Sequence, residues 1–282
     1  MQSRGNLPVV AERRLTAADA VALEAAVDAL ERVSFAGRLT ALVGRQVDFA
    51  GRAMPPGLRQ TASTAAHLAL QAALRFALGS LRGGPPRQGL KLHRQMAFVS
   101  GALGGAVGLA ALPWELPLST TIMLRAIADI ARDEGEDLSH PEAAAACLEV
   151  FAFGGHAEDG NILEGGYLAL RGLFAKSVSD AAHFAVASGA AAEGAPAMAR
   201  LVSMIASRFG FAVSQKAAAQ AAPVIGAVSG AAINLAFTEH FQTLARGHFT
   251  VRRLERAYGV PLVRCEYARI AQDAGYWRPR ES

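Results

Sequence analysis

Two long stretches of the chain carry no charged side chain: residues 96–114, 19 positions reading MAFVSGALGGAVGLAALPW, and residues 217–238, 22 positions interrupted by Pro223. Runs this apolar must leave water, either for a protein core or for lipid. Both consist mainly of small residues. Gly101, Gly104, Gly105 and Gly108 form two overlapping GxxxG pairs, and Gly226 and Gly230 form another. Small residues four apart let two helix backbones approach closely. The first run and the helical stretch expected at 119–133, the two arms of a hairpin, are each near the lower limit for crossing about 30 Å of hydrocarbon. The expectation is therefore shallow insertion, a re-entrant hairpin, or packing of one run against the other.

The rest of the chain reads as helix. Of 282 residues, 61 are Ala, the residue that forms helix at least entropic cost. Hydrophobic residues make up 52% and charged ones 18%, so a sizeable core comes with few charges to cover it. Thr16 and Asp19 read as a cap for a helix with Ala22, Leu23, Ala26, Val27, Leu30 and Val33 on one face. Further helices are predicted over 38–54, 58–81, 119–133, 141–154, 161–188 and 197–209. Beyond the second apolar run, helix continues to Gly259, and Pro261 opens a last helix ending near Gly275. The sequence GGPP at 83–86 is the clearest breaker, and the prolines at 113 and 117 are expected to break a helix into a two-armed hairpin. No run alternates with a period of two. The prediction is an all-α multi-helix bundle with two Gly/Ala-rich apolar helical segments. Its expected organisation is a disordered N-terminus (1–15), an N-terminal helical segment (16–82) and a main helical body (83–282).

Charge is distributed unevenly. Residues 1–95 hold 13 basic and 6 acidic side chains, residues 96–245 hold 7 and 14, and residues 246–282 hold 8 and 4. Basic ends beside apolar runs suit the anionic inner leaflet of a membrane. The basic residues lack interleaved aromatics, which argues against a nucleic-acid partner. Phosphate-loop, dinucleotide-binding, nucleophile-elbow and zinc-ligand spacings are all absent. Cys147 and Cys265 are too few for a disulfide framework, and no signal peptide is visible at the N-terminus. No catalytic residue, metal or cofactor is expected, and the chain is expected in the cytoplasm.

The segments ALPWELPLSTTIMLRAIADIARDEGEDL and PVIGAVSGAAINLAFTEHFQTLARGHFTVRRLERAYG resemble the EcsC family of bacterial proteins. The resemblance covers roughly residues 60–270, and the family's usual Asp is replaced by Glu115. It implies a helical protein without established catalytic residues. Because the founding member is encoded beside an ABC transporter, it also suggests a link to membrane transport or secretion.

Several polar residues stand out. Glu115, at the expected bend, is either solvated or a buried group that titrates or pairs with Arg125. Arg125, Asp129, Arg132 and Asp133 share a helix face, which is a solvated stripe or a polar track inside a bundle. Trp114 suits a membrane interface or a core. Asn234 suits a buried helix-to-helix hydrogen bond. Glu239, His240 and Arg246 suit a local ion pair at the polar end of the second run. The leading functional expectation is a membrane-associated helical accessory protein, peripheral to or partly inserted in the inner membrane, with a membrane transporter as possible partner. The alternatives are a soluble helical module with a cavity for a lipid-like ligand, and a hydrolase using Glu115 and His240.

Overall fold

The computed structural model describes residues 14–32, 56–80, 112–154, 166–188, 196–220 and 227–277. These form eight helices and no strand: α1 (Ala17–Glu31), α2 (Pro56–Ser80), α3 (Leu112–Asp133), α4 (Pro141–Phe153), α5 (Gly166–Ser188), α6 (Pro196–Gln220), α7 (Ala227–Tyr258) and α8 (Val260–Asp273). The expected all-α architecture is the one observed. The predicted helix at 38–54, the GGPP breaker and Gly101, Gly104, Gly105, Gly108 and Gly226 lie outside the described residues.

Helix α1 starts where Thr16 Oγ1 accepts the Asp19 amide, leaving one fewer unpaired N–H in the first turn. Its Leu23, Ala26, Val27 and Leu30 are buried at helical spacing. They pack on α7, while α2 lies between α3 and α6. One hydrophobic cluster includes α1 and α2 with every later helix, from Leu23 to Ala271. Helices α1 and α2 thus share a core with the later described helices.

Two local expectations are corrected. The prolines at 113 and 117 do not split the helix, because α3 begins at Leu112 and runs through both. Pro113 lies in the first turn, where an N–H would have no partner in any case. Pro117 removes one bond just inside that turn. Nearby hydroxyls fold back on the backbone, with Ser119 Oγ donating to the Leu116 carbonyl at 3.1 Å and Thr121 Oγ1 to the Pro117 carbonyl at 2.8 Å. The described parts of the second apolar run fall on two helices, and the predicted end at 209 is passed. Residues 217–220 end α6, and residues 227–238 begin α7. Ala217, Ala218 and Ala219 on one side, and Ala231, Ile233 and Phe237 on the other, are buried in the protein's own core. No helix among the described residues is long and apolar enough to cross a membrane.

Close approach explains one glycine. A Cβ at Gly247 would lie 2.8 Å from Leu30 Cγ and 3.1 Å from the Ala26 carbonyl oxygen, so α1 can seat on α7 only if that position is bare. Gly172, on α5, has nothing within 4 Å of the same point. Gly247→Ala should therefore destabilise by about 1–3 kcal/mol through overpacking. Gly172→Ala should stabilise by up to about 1 kcal/mol through helix propensity. Urea unfolding of both variants distinguishes these signs, and equal shifts would contradict the contact.

Candidate functional site

Helix α7 carries polar side chains on one face at intervals of three and four: Asn234, Thr238, His248, Arg252 and Glu255, with Phe241 and Ala245 between them. All but Arg252 are buried. At 1.5 Å per residue, Asn234 and His248 stand roughly 21 Å apart along the axis. Between them lies an aromatic knot in which Phe151, Phe209, Phe237 and Phe241 meet with centroid separations of 5.0–5.9 Å. Helix α7 therefore presents two buried polar clusters separated by a dry layer.

The first cluster joins α3, α6 and α7. Lys216 Nζ donates to Glu115 Oε1 at 2.7 Å and to Asn234 Oδ1 at 2.8 Å, and it stands 5.1 Å from the Phe237 ring centroid. Both members of the ion pair are buried. Burial lowers the Lys216 ammonium below the ordinary lysine range, and the Glu115 charge opposes that shift. Glu115 Oε2 and both amide atoms of Gln220 have no hydrogen-bond partner among the described residues. Glu115 is thus buried, as one of the expectations had it, but its partner is Lys216 rather than Arg125. The sequence reading passed over Lys216, although it immediately precedes the second uncharged run, as Glu115 immediately follows the first. A charge of each sign at the inner ends of two apolar runs was the available signal.

The second cluster joins α4, α5 and α7 in two layers one helical turn apart. In one layer, the Tyr167 hydroxyl and His248 Nδ1 share a hydrogen bond of 2.8 Å, and Phe153 packs on both rings at 5.1 Å. In the other, Arg171 Nη2 donates to Glu255 Oε2 at 2.7 Å, with Glu149 buried beside them on α4. Residues 149 and 153, 167 and 171, and 248, 252 and 255 are each one or two turns apart on their helices, which keeps the layers in register. Burial pushes the Glu149 carboxyl up to about 7, against the pull of Arg171 and Arg252. Burial holds the His248 imidazole well below its usual range, reinforced by the same two guanidinium groups. Burial likewise raises the Tyr167 hydroxyl, which keeps its proton.

Carboxylates anchor the surroundings. Glu31 Oε1 accepts from the Tyr167 amide at 3.1 Å and from the Tyr267 hydroxyl at 2.8 Å, placing an anion at the start of α5 where the helix dipole favours it. Gly166, at φ 48°, leaves room for that carboxylate, since a Cβ there would strike it. Arg252 and Arg256 engage Glu136, and Arg253 bridges Glu134 and Asp19. The Tyr258 hydroxyl and Arg253 hold the Asp19 carboxyl down at about 2. Three of the eight basic side chains of the C-terminal block are therefore paired with the chain's own acidic middle and with α1.

The remaining expected residues are dispersed. Arg125 and Asp129 are half-buried on α3, where Asp129 pairs with Arg132 at 2.9 Å. His240 is buried against Phe241, Glu239 is half-buried and Arg246 is exposed. Trp114 falls in the first turn of α3 and Gly230 in the first turn of α7. No group of three or more His, Cys, Asp or Glu among the described residues could hold a metal ion.

A model of the EcsC protein family matches residues 56–254. No curated protein and no solved structure matches the chain. The matched region includes α2 through most of α7, and with it Glu115, Lys216, Asn234, Glu149, Tyr167, Arg171 and His248. The chain belongs to the EcsC protein family.

Proposed function

We propose that this EcsC family member is a helical accessory protein that works at a membrane face, held there peripherally rather than by a span. The observation that carries this reading is the Glu115–Lys216 pair. Each residue stands at the inner end of an uncharged run, and each neutralises the other out of water. The runs are thereby tied together at one end without leaving a bare charge in an apolar setting, where it would cost several kcal/mol. The described ends of the second run, 217–220 and 231–238, lie mostly in the core, so we assign membrane contact to the first run and the basic N-terminal third. The internal pairing of Arg252, Arg253 and Arg256 takes three of the eight basic side chains of the C-terminal block away from an anionic surface. The association with transport or secretion follows from the family resemblance alone.

Vesicle flotation of the full chain tests this reading. The protein should rise with vesicles rich in phosphatidylglycerol, stay with them through a high-salt wash, and be released by detergent. If it stays at the bottom of the gradient with every lipid composition, peripheral attachment is wrong. The soluble binding module then becomes the reading to pursue.

A further inference from the structure

The cluster between α4, α5 and α7 has more polar capacity than its internal bonds use. Four buried atoms there have no hydrogen-bond partner among the described residues: Glu149 Oε1, Arg171 Nη1, His248 Nε2 and Glu255 Oε1. Glu149 and His248 are only 3% and 0% exposed. A buried polar atom without a partner loses its hydration and gains nothing for it, so four in one place call for an occupant. Helix α5 meets α7 here through long side chains, Tyr167 to His248 and Arg171 to Glu255.

We propose that this cluster is a binding site for a small oxyanion that keeps one hydroxyl group, with the chemistry of bicarbonate or hydrogen phosphate. The donors set the charge of the ligand. Arg171 Nη1 is a cationic donor, suited to an anionic oxygen. When the Tyr167 hydroxyl donates to His248 Nδ1, the neutral imidazole carries its proton on Nε2 and offers a second donor. The acceptor sets the hydroxyl. Glu255 Oε1 can only receive a hydrogen bond when ionised, so the ligand must supply an O–H as well as bare oxygens. Glu149 can complete the shell from either side, because its carboxyl titrates near neutrality. A halide offers no hydrogen to Glu255 and fits this donor–acceptor set poorly.

The site is independent of membrane attachment and can be tested on the full chain without lipid. Bicarbonate, hydrogen phosphate and chloride are each titrated calorimetrically at matched ionic strength, with nitrogen-15 shifts of the His248 ring recorded in parallel. At least one of the two oxyanions should give a saturable heat and move the His248 signal, and chloride should do neither. Arg171→Lys keeps a cation beside Glu255 but loses the free guanidinium N–H. It should weaken binding by about tenfold or more, the loss expected for one charge-assisted bond, while the variant's unfolding midpoint confirms that it is folded. Neither oxyanion binding to the parent protein would overturn the proposal, with water as the remaining occupant. Equal binding of chloride would overturn it as well, since the required hydroxyl would then play no part.

Discussion

Replacing Lys216 with methionine should destabilise the protein by about 3–5 kcal/mol, the range for removing one partner of a buried ion pair. The Glu115 carboxylate would keep its place beneath the core with no cation, and Asn234 Oδ1 would lose its donor. The size comes from the charge left behind rather than from the worth of the pair. Glu115→Gln combined with Lys216→Met should therefore recover much of the loss, because it removes both charges while preserving volume. Urea unfolding of the two single variants and the double variant measures this as a coupling energy of several kcal/mol. If the single losses simply add, Lys216 and Glu115 do not depend on each other, and the basis for tying the two apolar runs together fails.

Glu149→Gln should act in the opposite direction, and only on one side of neutrality. The Glu149 carboxyl is pushed up to about 7 in the fold, against an ordinary value of about 4.3 in the unfolded chain. Between those values the native state holds a proton that the unfolded state has released. Stability therefore falls as pH rises through this window, and the deficit is complete above about pH 7. It amounts to roughly 4 kcal/mol, at about 1.4 kcal/mol per unit. A glutamine cannot ionise and escapes the penalty. At about pH 4 the variant and parent should melt nearly alike, whereas at about pH 8 the variant should be the more stable by up to roughly 4 kcal/mol. Denaturation profiles that run parallel across the range would mean that Glu149 is not the group titrating there.

Much of the fold was legible because it depends on local rules. Thr16 with Asp19 announces α1, Pro141 and Pro261 announce α4 and α8, and the Leu23 to Leu30 spacing names the buried face. Errors arose where neighbours overrode the local signal. Prolines at 113 and 117 argue for a break, but their position at the start of α3 leaves only one backbone bond to lose. The helix predicted over 197–209 stops short, whereas α6 runs on to Gln220, into the second apolar run. For the polar residues, the sequence singled out Glu115 and Asn234 because a charge beside an apolar run and an amide within one are anomalies along the chain. It could not pair Glu115 with Lys216, 101 residues away.

The second cluster left almost no trace. Glu149, Tyr167, Arg171, His248 and Glu255 each sit at an unremarkable position on an ordinary helix. Their burial, and with it the shifted titration of Glu149 and His248, exists only after α4, α5 and α7 have come together. Helix propensity, capping and apolar periodicity act over a few residues, so the sequence alone determined that this chain is a bundle of helices and which faces turn inward. Which polar and charged groups meet inside it depends on contacts between residues far apart in sequence, 81 positions for Tyr167 and His248 and 101 for Glu115 and Lys216. Desolvation and Coulomb fields operate through space rather than along the chain, and only the tertiary structure could decide them.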